Sequence, residues 1–128
     1  MAEFFYFNHS VSARCHVGIR ALVRKYGIAG YGHYFLFLEE IYASHKPVMD
    51  LSQEYILEAI AEEHLMTMEQ VSDFVDDCCR LGLFNRELWC EKRHVTSNGI
   101  CEAFEYKEQK ERAGKAGGRP KKAPEKAG

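Results

Sequence analysis

Thr67 and Gln70 stand three residues apart at the head of an apolar series, Val71, Phe74, Val75 and Cys78, spaced for one face of a helix. A threonine hydroxyl that accepts the third helical N–H, and a glutamine that reaches back to the threonine N–H, satisfy two donors that a helix start leaves open. Met66 and Val71 flank this capping box as a hydrophobic staple, and Gly82 follows Leu81 as a stop. Upstream, Ser52 is placed to cap a helix from Gln53 to about His64, with Leu51 and Ile56 as its staple. Only Leu65 to Thr67 separate the two helices, which is the spacing of a helix-turn-helix.

Two further helices precede this pair. One runs from Val17 to Tyr26 and closes on Gly27; the other runs from about Ala29 to Ser44. In the second, Tyr31, Tyr34, Phe35, Leu38, Ile41 and Tyr42 follow the helical template, and Leu36 and Phe37 add apolar surface on the other side, so it is expected to be central. Gly30 and Gly32 near its start suggest either close packing on a neighbour or a loose first turn. After Gly82 the period changes. Leu83–Asn85, Leu88–Cys90 and His94–Thr96 read as short strands separated by the charged turns Arg86-Glu87 and Glu91-Lys92-Arg93. Trp89, the single tryptophan, is expected to cover the edge of the core from the middle strand. Ser97 can cap a last helix carrying Ile100, Ala103, Phe104 and Tyr106. The prediction is a mostly α winged helix-turn-helix over residues 1–106, with a small β-hairpin wing. A disordered basic Gly/Pro/Lys-rich tail or linker is predicted over 107–128.

At 128 residues the chain holds one domain with a real core. No run approaches the roughly 18 apolar residues of a membrane span, and Met1 to Phe7 lacks the basic start and cleavage site of a signal peptide. Five irregularly spaced cysteines argue for reduced thiols and a cytoplasmic protein. The net charge of -2 hides a segregation: residues 107–128 carry eight cations and three acids, whereas Glu39 to Asp77 carry eleven acids against Lys46 alone. Such segregation suggests that different faces meet different partners.

Several short segments together resemble a known group. They are Tyr6-Phe7, Ile19-Arg20-Ala21-Leu22 with Lys25-Tyr26-Gly27, Gly30-Tyr31-Gly32 with Tyr34, and Leu38-Glu39. Gly82-Leu83-Phe84, Val95-Thr96-Ser97 with Ile100, and the Gly117-Gly118-Arg119-Pro120-Lys121-Lys122 tail continue the series in order. The whole is similar to the N-terminal domain of phage and mobile-element replication proteins related to the bacterial primosome protein DnaD. The resemblance implies a winged helix acting in replication initiation or primosome assembly, often followed by a second domain; the chain ends where that domain would begin. It implies replication proteins as partners and, from DnaD-type N-terminal modules, self-association as a homo-oligomer.

The helix that would enter a major groove is acidic. With its apolar stripe turned inward, Glu69, Ser72, Asp73, Asp76, Asp77 and Arg80 face outward. Carboxylates repel phosphates, so Asp73, Asp76 and Asp77 are candidate protein-partner contacts or plain solvated surface, not DNA readers. Three basic features remain for DNA: Arg20 and Arg24 on the first helix; Arg86, Lys92 and Arg93 at the turns of the wing; and Arg112, Lys115, Arg119, Lys121 and Lys122 in the tail. Gly118-Arg119-Pro120 matches half of an AT-hook, in which an extended Arg-Pro segment enters a narrow minor groove. The tail predicts weak, largely sequence-tolerant DNA binding with some A·T preference; the competing reading is a passive linker. Adjacent Cys78-Cys79 and six scattered histidines lack metal-ligand spacing, and no nucleophile, base and orienting group assemble. No enzyme activity, metal or cofactor is expected. The Phe4-Phe5-Tyr6-Phe7 run would expose two rings if it alternated as a strand, unless a second chain or the wing covers them.

Overall fold

The computed structural model describes residues 3–117, with side chains through 114. The chain is mostly helical, with a small two-stranded antiparallel sheet. A single 3-10 turn, Ala13–Cys15, leads into α1 (Val17–Tyr26), whose first turn is capped by the His16 ring: Nδ1 accepts the Gly18 N–H at 3.1 Å. Gly27, at φ 74°, ends α1 and starts α2 (Ile28–Ala43) with no intervening loop. A side chain here would be strained in the left-handed region, so glycine sets the sharp corner. The two helices then pack closely. A Cβ on Gly30 would lie 2.7 Å from the Leu22 carbonyl oxygen, whereas one on Gly32 would meet nothing within 4 Å.

Helix α2 reaches the core centre with Ile41 of the expected stripe and with Phe37 from the other side. Phe37 and Ile41 are fully buried, while Tyr31, Tyr34, Phe35, Leu38 and Tyr42 pack half-buried around them. A helix apolar on most sides does not announce which side the core takes.

Ser52 does not cap α3 (Glu54–His64): its N–H and hydroxyl both donate to Asp50 Oδ1, at 3.0 and 2.6 Å, and Gln53 holds the cap position with its side chain turned back to Asp50 Oδ2 rather than capping the helix. An aspartate two residues upstream competes for the serine as an Asx turn. Leu65, left-handed at φ 57°, turns the chain toward α4 (Met68–Arg80). There the capping box forms as expected, Gln70 N–H to Thr67 Oγ1 at 3.0 Å and Thr67 N–H to Gln70 Oε1 at 2.9 Å. Val71, Phe74, Val75 and Cys78 are all fully buried, and Gly82 follows at φ 77°.

The hairpin wing is absent. Leu88–Cys90 lies inside a helix, α5 (Arg86–Lys92), capped by Asn85 Oδ1, which accepts the Leu88 N–H at 2.8 Å. Three apolar residues fit either period, and a capping asparagine with Glu87 in the first turn and Lys92 in the last favours helix. Strand β2 (His94–Val95) pairs instead with β1 (Met49–Asp50), antiparallel, Met49 opposite Val95 and Asp50 opposite His94. Leu51 N–H to the Arg93 carbonyl (2.9 Å) extends this ladder, and Asn85 N–H donates to the Thr96 carbonyl at 2.7 Å. Trp89 is buried as expected, from a helix rather than a strand; its Nε1–H donates to Asp76.

Ser97 Oγ accepts the Ile100 N–H at 3.2 Å and starts α6 (Asn98–Gly117), which buries Ile100 and Phe104. This helix passes the expected boundary at 106. Residues 107–112 are Lys, Glu, Gln and Arg, good helix formers with opposite charges four apart (Glu108 and Arg112), so propensity carries the helix beyond its last apolar residue. The expected disordered tail from 118 onward lies outside the described residues. No helix among the described residues is long and apolar enough to cross a membrane.

Candidate functional site

The predicted DNA contacts do not converge on one face of one element. Arg20 and Arg24 are exposed on α1; Arg86 and Lys92 are exposed at the two ends of α5, and Arg93 follows it. The Arg93 guanidinium lies 4.5 Å from the centre of the Trp89 ring, a cation–π contact that seals the edge of the core. Arg112 is exposed on α6 and Lys115 lies on the same helix, while Arg119, Lys121 and Lys122 lie outside the described residues.

On α4, Glu69, Asp73 and Asp76 are exposed, but Asp77 is not an outward residue. It is 4% exposed and ties α4 to α1: Lys25 Nζ is 2.8 Å from Oδ2, the Tyr26 hydroxyl donates to the same oxygen, and Arg80 pairs with Oδ1. The contact with α1 turns this position from surface into core edge. Asp77 is thereby an internal anchor and no longer a candidate for binding a partner.

A buried polar chain, unforeseen from the sequence, joins α2 to α3. His64 Nε2 lies 2.9 Å from Glu40 Oε1, and His64 Nδ1 lies 2.9 Å from His33 Nδ1. Both His64 and Glu40 side chains are almost wholly buried, at 0% and 8% exposure. Burial first, then the neighbouring carboxyls of Glu63 and Glu39, pushes Glu40 up to about 10. Burial first, then His33, pushes His64 down to about 4. Removing both groups from water disfavours both charges, so the pair is a neutral acid donating to a neutral imidazole. That leaves the His64 Nδ1–H to donate to His33. Glu40 Oε2 is buried with no partner. No group of three histidine, cysteine or carboxylate side chains among the described residues is placed to hold a metal ion. The chain of three has one trace in the sequence: His33 and Glu40 are seven residues apart, two turns on one face of an apolar helix.

The N-terminal aromatic run lies against α2 and α6. It is not a strand, yet its rings divide two in and two out. Phe4 packs on Tyr42 and Phe104 with ring centres 4.8 and 4.6 Å apart, and Phe7 stacks on Tyr42 at 5.0 Å. Phe5 and Tyr6 are 85% and 83% exposed. Between this segment and α6 lies a groove of about 590 Å³, bordered by Tyr106, Lys107 and Lys110. Lys107 Nζ sits 4.4 Å from the centre of the Phe4 ring, and Lys110 Nζ 5.5 Å from that of Tyr106. On the other side of the run is a second groove, bordered by His9 and Glu39.

No curated protein and no solved structure matches the chain. One family of sequences does. The match runs over residues 6–100, from the exposed ring of Tyr6 through the α3–α4 pair to the first turn of α6, and the chain therefore belongs to the Lin1244/Lin1753-like N-terminal family.

Proposed function

We propose that the chain is a non-catalytic winged-helix module of a phage or mobile-element replication protein of the DnaD-related kind, acting in the cytoplasm to bring DNA and replication partners together. The arrangement around β2 carries the reading. β1 flanks β2 on one side, and on the other the Asn85 N–H reaches the Thr96 carbonyl, so the segment leaving α4 runs beside β2. Helix, strand, helix, helix, returning edge and strand is the winged-helix order, with α5 standing where the wing would turn. DNA contact falls to exposed cations away from α4, because Glu69, Asp73 and Asp76 would face the phosphates.

That same acidic face favours a second reading: α4 docks a basic protein partner and no DNA is bound directly. Duplex binding by the full chain across a salt series separates the two. If about five cations meet phosphates, log K falls with log salt at a slope near -4 to -5. Replacing Arg119, Lys121 and Lys122 by alanine flattens the slope if the tail binds, and replacing Arg86, Lys92 and Arg93 flattens it if α5 does. Arg119→Ala costs about 1 to 3 kcal/mol on A·T-rich duplex, and less on G·C-rich duplex, if the half-hook enters a minor groove. An absence of duplex binding at moderate salt overturns the DNA reading and leaves the protein-docking one.

A further inference from the structure

We infer that the groove between the N-terminal aromatic run and α6 is a binding track for single-stranded nucleic acid. The inference rests on the nucleic-acid reading above and adds a second, differently selective surface to it. Phe5 and Tyr6 present open faces at 85% and 83% exposure, and Tyr106, 63% exposed, stands beside them with the Lys110 ammonium over its ring. Burying two of the four leading rings against Tyr42 and Phe104 holds the segment in place, so the outward pair stands on a packed base.

Charge selects the occupant. Lys107 and Lys110 border the groove: the Lys107 ammonium lies 4.4 Å from the centre of the inward Phe4 ring and donates to the Glu3 carbonyl, the Lys110 ammonium lies 5.5 Å from the centre of the Tyr106 ring, and Glu111 is the carboxylate among the described lining residues. Exposed rings and ammonium groups along one groove match a nucleotide, whose base stacks on a ring and whose phosphate pairs with a lysine. An apolar helix from another protein would cover the rings and leave both lysines facing apolar surface. A duplex keeps its bases stacked on each other and offers the rings nothing. The second groove, with Glu39 on its border, repels phosphate and confines the strand to the α6 side.

Anisotropy of a fluorescein-labelled oligothymidine of about 20 nucleotides, beside a mixed-sequence duplex of the same length, tests this with the full chain. The variants are Phe5→Ala with Tyr6→Ala, Tyr106→Ala, and Lys107→Gln with Lys110→Gln, each checked for an unchanged melting temperature. Ring removal is expected to weaken oligothymidine binding about tenfold or more while changing duplex binding less than about twofold. The lysine pair is expected to flatten the single-strand salt slope by about 1.4. Unchanged oligothymidine affinity in the ring variants overturns the inference, as does absence of oligothymidine binding by the wild-type chain at about 100 µM. A change of oligomeric state by light scattering in the ring variants, with oligothymidine affinity intact, also overturns it and makes the groove a protein contact. Loss of duplex binding alone, with the ring effect retained, strikes the duplex reading and leaves the groove standing.

Discussion

Glutamine at position 40 keeps the shape of the buried glutamic acid and removes its proton from the pH dependence of stability. In the folded chain Glu40 titrates near 10 and His64 near 4, against ordinary values of 4.5 and 6.5. Between about pH 4.5 and 6.5 the folded pair holds one proton, on Glu40, and the unfolded pair also holds one, on His64, so these groups add no slope. Above about 6.5 the unfolded pair is bare while the folded pair keeps its proton. The unfolded state then binds fewer protons, and stability falls as pH rises, by at most about 1.4 kcal/mol per unit. Over the two units from 6.5 to 8.5 the expected loss is about 2 to 3 kcal/mol. In Glu40→Gln the amide donates to His64 in place of the acid, and this alkaline fall disappears. The depressed value of His64 is then no longer offset, so the variant loses stability from this site as pH falls from 6.5 toward 4, where the wild-type pair adds no slope; the lowered value of His33 acts in both chains. Urea unfolding of both chains at unit steps from pH 5 to 9 reads the difference as diverging midpoints. Parallel curves for the two chains would refute the assignment of a proton that the buried Glu40–His64 pair keeps above pH 6.5.

Trp89→Ala removes a fully buried ring, the donor to Asp76 and the seat of the Arg93 guanidinium; calorimetry is expected to show a loss of about 3 to 5 kcal/mol. An unchanged melting temperature would make Trp89 dispensable to the core. Gly30→Ala places a methyl group 2.7 Å from the Leu22 carbonyl, backbone that cannot swing aside, and is expected to cost about 1 to 3 kcal/mol, whereas Gly32→Ala, with open space around it, is expected to be neutral or stabilising.

Features written in local chemistry were legible before the fold was known. Thr67 with Gln70, Gly27, Gly82 and Ser97 announce helix ends because their partners lie within a few residues. Where two local partners compete, the reading failed: Asp50 takes the serine that would otherwise have capped α3. Leu88-Trp89-Cys90 failed because a triplet is too short to show a period. The far end of α6 has no apolar residue to mark it, so only propensity could have found it. The site is harder still. Asp77 became an internal anchor, and His64 met Glu40 and His33, through helix crossings that no spacing within one helix encodes. The division of Phe4 to Phe7 into two inward and two outward rings was foreseeable, since four adjacent rings cannot all turn to one side.

The pairing of Met49 with Val95 also has a consequence for how this architecture can vary. Antiparallel partners stand about 5 Å apart, so the stretch containing α3, α4 and α5 leaves the sheet and returns to it at almost the same point. A unit whose two ends coincide can lengthen, shorten or refold its connections without displacing what lies on either side. A hairpin or a helix between Asn85 and His94 is therefore interchangeable from the standpoint of α2 and α6, provided that the Asn85 and Arg93 backbone groups keep their bonds to Thr96 and Leu51. The position occupied by α5 can thus change in shape and surface charge within one frame, so long as a side chain fills the place of Trp89 in the core.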